Sequence, residues 1–213
     1  MRKLERGPVP RGLLNYKHGH DNWSSVDADT KAEVWNALES MQGSKCAYCE
    51  ATISIDSRHI EHFRQRSRYI TFTFDWANLF GSCNREESCG KHKDRCGFYP
   101  PEVLIKPDID NPDDFFVFVS DGTIVPRKDL SAPDNNRAKE TLRILNLDAQ
   151  NGALRHMRRR QIAGYLQIAE EIRQFEADLK PDELFELVED ELKKIENQPF
   201  FTAIRHALLG NLP

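Results

Sequence analysis

Apolar residues recur with two periods along the chain. Val34, Leu38 and Met41 fall at i, i+4 and i+7, which predicts a helix opened by Asp27 or Asp29 and ended by Gly43. Ile53, Ile55 and Ile60 make residues 51–62 read as a hairpin, and ITFTFDWANLF (70–80) is strongly β-prone at its start. A short helix is expected from about Ser88 to Arg95. FFVFV (115–119), a Ser-Asp-Gly turn and TIV (123–125) predict a second hairpin. From Asn135 onward the period is helical. Leu142, Leu145 and Leu147 precede a break near Asn151-Gly152. One long helix then fits 153–179, with Leu154, Met157, Ile162, Tyr165, Leu166, Ile168, Ile172, Phe175 and Leu179 as its apolar positions. Lys180-Pro181-Asp182 starts another helix to about Glu196, and Pro199 opens a last one to about Leu209. Residues 1–26, rich in Gly, Pro and Asn, look irregular. The pattern is that of an α+β protein in three parts: an N-terminal segment and helix (1–45), a cysteine-rich unit with its following hairpin (46–130), and a helical C-terminal region (131–213).

Composition limits the class. With 39% hydrophobic and 30% charged residues among 213, the chain reads as a soluble globular protein of one domain or two small ones. No apolar run is long enough for a membrane-spanning helix, and MRKLERGPVP lacks the apolar stretch of a secretory signal. A cytoplasmic protein that does not touch membranes is expected. The net charge of −4 hides a split, because residues 170–196 carry eleven acids and four bases. Residues 58–68, by contrast, hold Arg58, Arg64, Arg66 and Arg68 against one acid, Glu61. Phosphate contacts need such local positive charge and not a basic average. These four arginines, with Lys91 and Lys93, are the candidate nucleic-acid contacts. The acidic stretch reads by default as a solvated helical face.

The chemistry is concentrated in one window. All five cysteines lie between Cys46 and Cys96, with His59, His62 and His92 among them. Cys46-x2-Cys49 and Cys83-x5-Cys89 form two thiolate pairs, which suits a structural, tetrahedral Zn²⁺ better than four unrelated buried thiols. Cys96 is the spare, read as core packing, with substitution for Cys89 as its alternative. A closed four-cysteine site has no open position, so any catalysis should sit in the bracketed insert.

That insert holds His59-Ile60-Glu61-His62, then Asp75-Trp76-Ala77-Asn78, with Lys91-His92-Lys93 just beyond. The order resembles that of the HNH nucleases, ββα-metal enzymes in which an acid-His or His-His pair, an Asn, and a helical His or Asn follow one another. The resemblance implies His62 as general base, Glu61 as ligand to a catalytic Mg²⁺ or Mn²⁺, and Asn78 as the residue that orients the base histidine. His92 is the candidate second metal ligand on the helix. Two departures keep that last choice open. Gly90 stands where the family's third residue usually follows the last knuckle cysteine, and His59 lies on the Glu61 side of the strand alternation and is the other candidate ligand.

The match is wider than the catalytic unit. LERGPVPRGLLNY, CAYCE, HIEHFRQRS, DWANLFGSC, CGKHKD, the turn Asp121–Pro126 and ETLRILNLDAQNGALRHMRRR together resemble the HNH proteins of Septu anti-phage systems, which also occur beside some retrons. The resemblance covers about residues 1–165. It implies DNA as substrate and a PtuA-like ABC/SMC-type ATPase as partner, with a retron reverse transcriptase and its msDNA as further candidates. The helical C-terminal region would then dock the partner. Two other classes remain: a zinc-stabilised nucleic-acid-binding module, and an adaptor whose zinc unit props up the C-terminal helices. Neither needs Glu61-His62 or Asn78.

Overall fold

The computed structural model describes residues 1–175 and 180–210. Helix α1 spans Ala28–Gln42; Asp27 caps it by accepting from the Thr30 N–H at 2.7 Å, and Gly43 ends it. The cysteine knuckle follows, and the chain then enters strand β1 (Arg58–His62). Its antiparallel partner is β2 (Leu79–Cys83), registered Arg58 to Cys83 and His62 to Leu79. Helix α2 (Cys89–Arg95) packs against β2 and completes a ββα unit.

Residues 51–62 are not a hairpin by themselves. Residues 51–57 form the return arm of the knuckle, bridged by Lys45 and Thr52, and turn at Ser54–Ser57, where the Ser57 hydroxyl accepts from the Ser54 N–H. The partner of β1 lies beyond a long loop. In that loop ITF and WAN are single 3₁₀ turns, and only from Leu79 is the chain a strand. Local capping overrides the β propensity of the aromatics: Asp75 accepts from the Ala77 N–H, and Asn78 holds the loop's backbone.

Strands β3 (Phe116–Phe118) and β4 (Ile124–Pro126) form the expected second hairpin. Its turn needs Gly122, at φ +89°, where a Cβ would stand 2.3 Å from the Arg155 carbonyl. Helix α3 (Ala132–Ile144) follows, capped by Ser131. The long helix expected over 153–179 is two helices, α4 (Ala153–Ala163) and α5 (Leu166–Phe175), separated by a turn in which the Tyr165 N–H reaches the Ile162 carbonyl at 2.8 Å. Residues 176–179 of that expected helix lie outside the described residues. The break divides two apolar faces: Leu154 and Ile162 enter the main core, while Ala169 and Ile172 pack with Val188, Ile195, Ile204 and Leu208. Those partners lie on α6 (Pro181–Ile195) and α7 (Phe201–Leu209).

The main core gathers residues from the whole chain: Met1, Leu4 and Leu13, then Val34 and Leu38 of α1, Tyr48, Leu79 and Phe80, Ile144 of α3 and Ala203 of α7. Arg158 of α4, 1% exposed, ties the hairpin to this core by donating to the Gly122 and Leu147 carbonyls and to Asp148. Among the described residues no helix is long and apolar enough to cross a membrane. The four-cysteine bracket and the ββα unit sit on a frame made by both ends of the described chain.

Candidate functional site

The cysteine bracket closes on itself. Sγ atoms of Cys46, Cys49, Cys83 and Cys89 lie within 4.8 Å of one another, and all four residues are buried. Tetrahedral Zn²⁺ with four thiolates at about 2.3 Å would space its sulfurs at about 3.8 Å, so the set fits that ion after slight contraction. Burial raises the Cys46 thiol, but hydrogen bonds from Cys49, Cys83 and Cys89 outweigh it and pull this sulfur well below the usual range. Cys96 stays outside the group; its Sγ faces His92 Nδ1 and the Ile144 carbonyl, each at 3.6 Å.

Above the bracket, strand β1 borders an open cleft of about 710 Å³. His59, Ile60, Glu61 and His62 line it from β1, Arg66 and Thr73 from the β1–β2 loop, Lys91 and Asp94 from α2, and Asp21–Ser24 from the N-terminal segment. Glu61 and His62 are neighbours on a strand, yet both reach this cleft through different contacts.

Glu61 is 1% exposed and faces α2. Its Oε1 lies 2.7 Å from Lys93 Nζ, and its Oε2 lies 3.3 Å from His59 Nε2. Burial raises the carboxyl, but the Lys93 ammonium overrides that and holds it below the usual carboxylate range. Gly90 makes this placement possible. A Cβ there would stand 2.3 Å from Glu61 Oε2 and 2.9 Å from His59 Nε2. The position where the family's third residue usually stands is thus kept empty for the Glu61–His59 pair.

His59 is fixed from its other side. Its Nδ1 lies 2.9 Å from Asn84 Oδ1, and Asn84 Nδ2 donates to the Arg58 carbonyl, which sets the amide's orientation. Nδ1 therefore carries a proton. In the neutral ring, Nε2 then presents a lone pair toward a carboxylate oxygen 3.3 Å away. Two such acceptors converge stably only on a shared proton or a cation. One carboxylate oxygen, one imidazole nitrogen and an open cleft suit a hard divalent ion that keeps most of its waters.

His62 is 7% exposed. Its Nε2 lies 3.0 Å from the Thr73 carbonyl, which can only accept, so Nε2 bears the proton and Nδ1 is the free base. Trp23 packs edge-to-face with this ring, with centroids 4.7 Å apart. Desolvation pushes the imidazole down to about 4, so it is neutral near pH 7.

The sequence-read residues are thus partly brought together. The Asn78 side chain hydrogen-bonds neither histidine. Its Oδ1 accepts from the Arg64 N–H at 2.7 Å, and its Nδ2 donates to the Phe72 carbonyl at 3.0 Å and that of Arg64 at 3.3 Å. The expected direct hold on His62 belongs instead to the Thr73 backbone, one residue beyond a carbonyl that Asn78 grips. His92 also stands elsewhere. Two residues past Gly90 turn a helix by roughly 200°, and His92 Nδ1 faces the Ile144 carbonyl of α3 at 2.9 Å. His59 is the histidine beside Glu61.

The six basic candidates divide as well. Arg66 and Lys91 border the cleft, and Arg68 is exposed beside Phe98. Arg58 lies on the Trp35 ring, and Arg64 pairs with Glu102 over Phe72. Lys93, read from sequence as a phosphate contact, is wholly buried and committed to Glu61. Trp23, Thr73 and Asn84 escaped the sequence reading. Thr73 acts through its carbonyl, which no residue type announces, and Trp23 lies in a segment without periodicity.

No family profile matches the chain. Two curated proteins are similar to it. "Septu protein PtuB" of Bacillus thuringiensis is 32% identical over 124 residues, covering 53% of this chain and 44% of that protein. "Retron Vc95 putative HNH endonuclease" of Vibrio cholerae serotype O1 biovar El Tor is 28% identical over 126 residues, 55% of this chain and 58% of that protein. The chain spans about half the length of the curated relatives it matches. The PtuB-like, HNH-type resemblance read from the motifs is supported by both.

Proposed function

We propose that this chain is a metal-dependent HNH endonuclease that hydrolyses DNA phosphodiester bonds in anti-phage defence. The observation that carries the reading is the cleft wall itself: a neutral, desolvated His62 with Nδ1 free, beside a Glu61–His59 pair whose acceptors converge. The relatives' names, Septu PtuB and a retron HNH endonuclease, support the same class.

In this reading His62 Nδ1 takes the proton of the attacking water, while Thr73 holds the ring by Nε2–H. Glu61 Oε2 and His59 Nε2 would hold the catalytic Mg²⁺ or Mn²⁺. A divalent ion there supplies charge neutralisation on the phosphate and help for the leaving oxygen. Arg66 and Lys91 border the cleft, where the DNA backbone would pass, and Arg68 extends that charge. Cys46, Cys49, Cys83 and Cys89 hold Zn²⁺ as scaffold, outside the chemistry. A PtuA-like ATPase would gate the nuclease from the helical C-terminal side, facing the exposed acids of α6.

Plasmid cleavage with Mg²⁺ or Mn²⁺, by the zinc-loaded protein with and without the ATPase, tests the reading. Wild type should nick or linearise DNA, and His62→Ala should lose at least a hundredfold in rate. Equal cleavage by the two proteins refutes the mechanism.

A further inference from the structure

Lys93 is an unusual residue to bury. It lies on α2 one turn after Cys89, is 0% exposed, and shares the wall behind the cleft with Glu61. Its Nζ is 2.7 Å from Glu61 Oε1, 2.9 Å from the His62 carbonyl and 3.0 Å from Asp94 Oδ1. Gln65 Nε2 donates to the Lys93 main-chain carbonyl at 3.2 Å. An ammonium taken out of water is costly unless it is partnered, and here it donates to the His62 carbonyl and Asp94 Oδ1 and stands at ion-pair distance from Glu61 Oε1, an oxygen with no other hydrogen-bond partner. Two of the matches are to the adjacent residues of the candidate site. One is the side chain of Glu61 and the other the main chain of His62.

We propose that Lys93 is the positioning residue of this site, a resident cation that ties Glu61 by Oε1 and β1 by the His62 carbonyl, leaving only Oε2 of Glu61, beside His59, for a divalent ion. The inference rests on the metal-dependent reading above. Strand alternation alone would send Glu61 and His62 to opposite faces. A single ammonium, ion-paired with the Glu61 carboxylate and donating to the His62 carbonyl, fixes the strand between them instead. It also places a permanent positive charge against the carboxylate that binds the ion, and like charges this close weaken each other's binding. Lys93 therefore trades ion affinity for geometry.

The test reads ion binding and cleavage in the zinc-loaded protein. Free Mn²⁺ is followed by electron paramagnetic resonance during titration of wild type, Lys93→Met and Glu61→Gln. Titrated at a pH high enough to keep Glu61 ionised without its ammonium, Lys93→Met should bind Mn²⁺ about tenfold more tightly yet cleave DNA at least tenfold more slowly. Simple loss of packing would weaken both. If Glu61→Gln loses Mn²⁺ binding while folded Lys93→Met binds no tighter than wild type, the role of Lys93 is refuted and the metal reading stands. If Glu61→Gln binds Mn²⁺ as wild type does, both fall. Should Lys93→Met not fold, ¹⁵N spectra of the lysine ammonium groups in wild type decide. A slowly exchanging Nζ signal that shifts with Mg²⁺, and does not shift in Glu61→Gln, is expected. A Lys93 signal unmoved by saturating Mg²⁺ overturns the proposal.

Discussion

His62 Nε2 points at the Thr73 carbonyl 3.0 Å away, while Trp23 packs in a T-shaped contact with the same ring. The first contact fixes the tautomer and the second keeps water from the imidazole. Burial holds the folded group at about 4, against about 6.5 in the unfolded chain. Since the folded form resists protonation, the unfolded state takes up the proton first. The stability this group contributes is full above pH 6.5 and is lost as pH falls toward 4, on the order of 3 kcal/mol from this residue.

The same shift sets the pH dependence of cleavage. The acid limb of the rate profile should lie well below pH 6.5. Trp23→Ala admits water and should move that limb upward by about one pH unit, with the neutral-pH rate less affected. Rates of plasmid nicking between pH 4.5 and 8 check this. Coincident limbs for the two proteins would show that Trp23 does not control the ring's hydration.

Zinc should be a folding ligand. The four sulfurs join the knuckle, the end of β2 and the start of α2 at one point inside the main core. Structural Zn²⁺ binding is worth on the order of 10 kcal/mol in small domains, comparable to a whole domain's stability. Cys83→Ser, or removal of zinc by a strong chelator, should abolish the cooperative melting transition. Circular dichroism with a zinc assay reads the result. An unchanged melt in zinc-free protein would make these cysteines ordinary core residues.

Asn78 should act on stability first and on cleavage second. Its side chain satisfies an N–H and a carbonyl of Arg64 and the Phe72 carbonyl, pinning both ends of the β1–β2 loop. Asn78→Ala leaves the Arg64 N–H and carbonyl without partners, while the Phe72 carbonyl keeps only the Asp75 N–H, and should cost about 2–4 kcal/mol. The Thr73 carbonyl then loses its fixed place under His62, so cleavage should fall at least tenfold at a temperature where the variant is still folded. A stability loss with full activity would separate the loop from the site.

Much of this was legible in the chain. The α1 caps, the second hairpin, the short helix after Ser88 and the cysteine bracket follow from local signals that the tertiary structure does not oppose. The strand pairing of β1 was not, because its partner lies beyond a loop whose aromatic residues mimic a strand while side-chain caps curl it into turns. The break at Gly164 was hidden since α4 and α5 both keep helical periodicity and differ only in which core they enter. In the site, Glu61 and His62 could be read from their order in the motif. The choice of His59 over His92 needed the turn angle of α2, and the buried role of Lys93 needed the burial of Glu61. A charged pair inside a core leaves no periodic trace.

Gly90 gives the most direct test of how the site is built. Its backbone is in the ordinary helical region, so an alanine meets no conformational strain and gains up to about 1 kcal/mol in helix propensity. Against that stands a Cβ 2.3 Å from Glu61 Oε2 and 2.6 Å from its Cδ. Glu61 cannot retreat, because Lys93 holds its other oxygen and the residue is buried. The clash should win, with a net loss of about 1–3 kcal/mol. More tellingly, Oε2 should be driven from His59, so divalent-ion binding and DNA cleavage should both drop at least tenfold while zinc content stays at one ion per chain. If instead Gly90→Ala is more stable and cleaves normally, Glu61 and His59 do not form the ion site, and the donors must be sought elsewhere along the cleft.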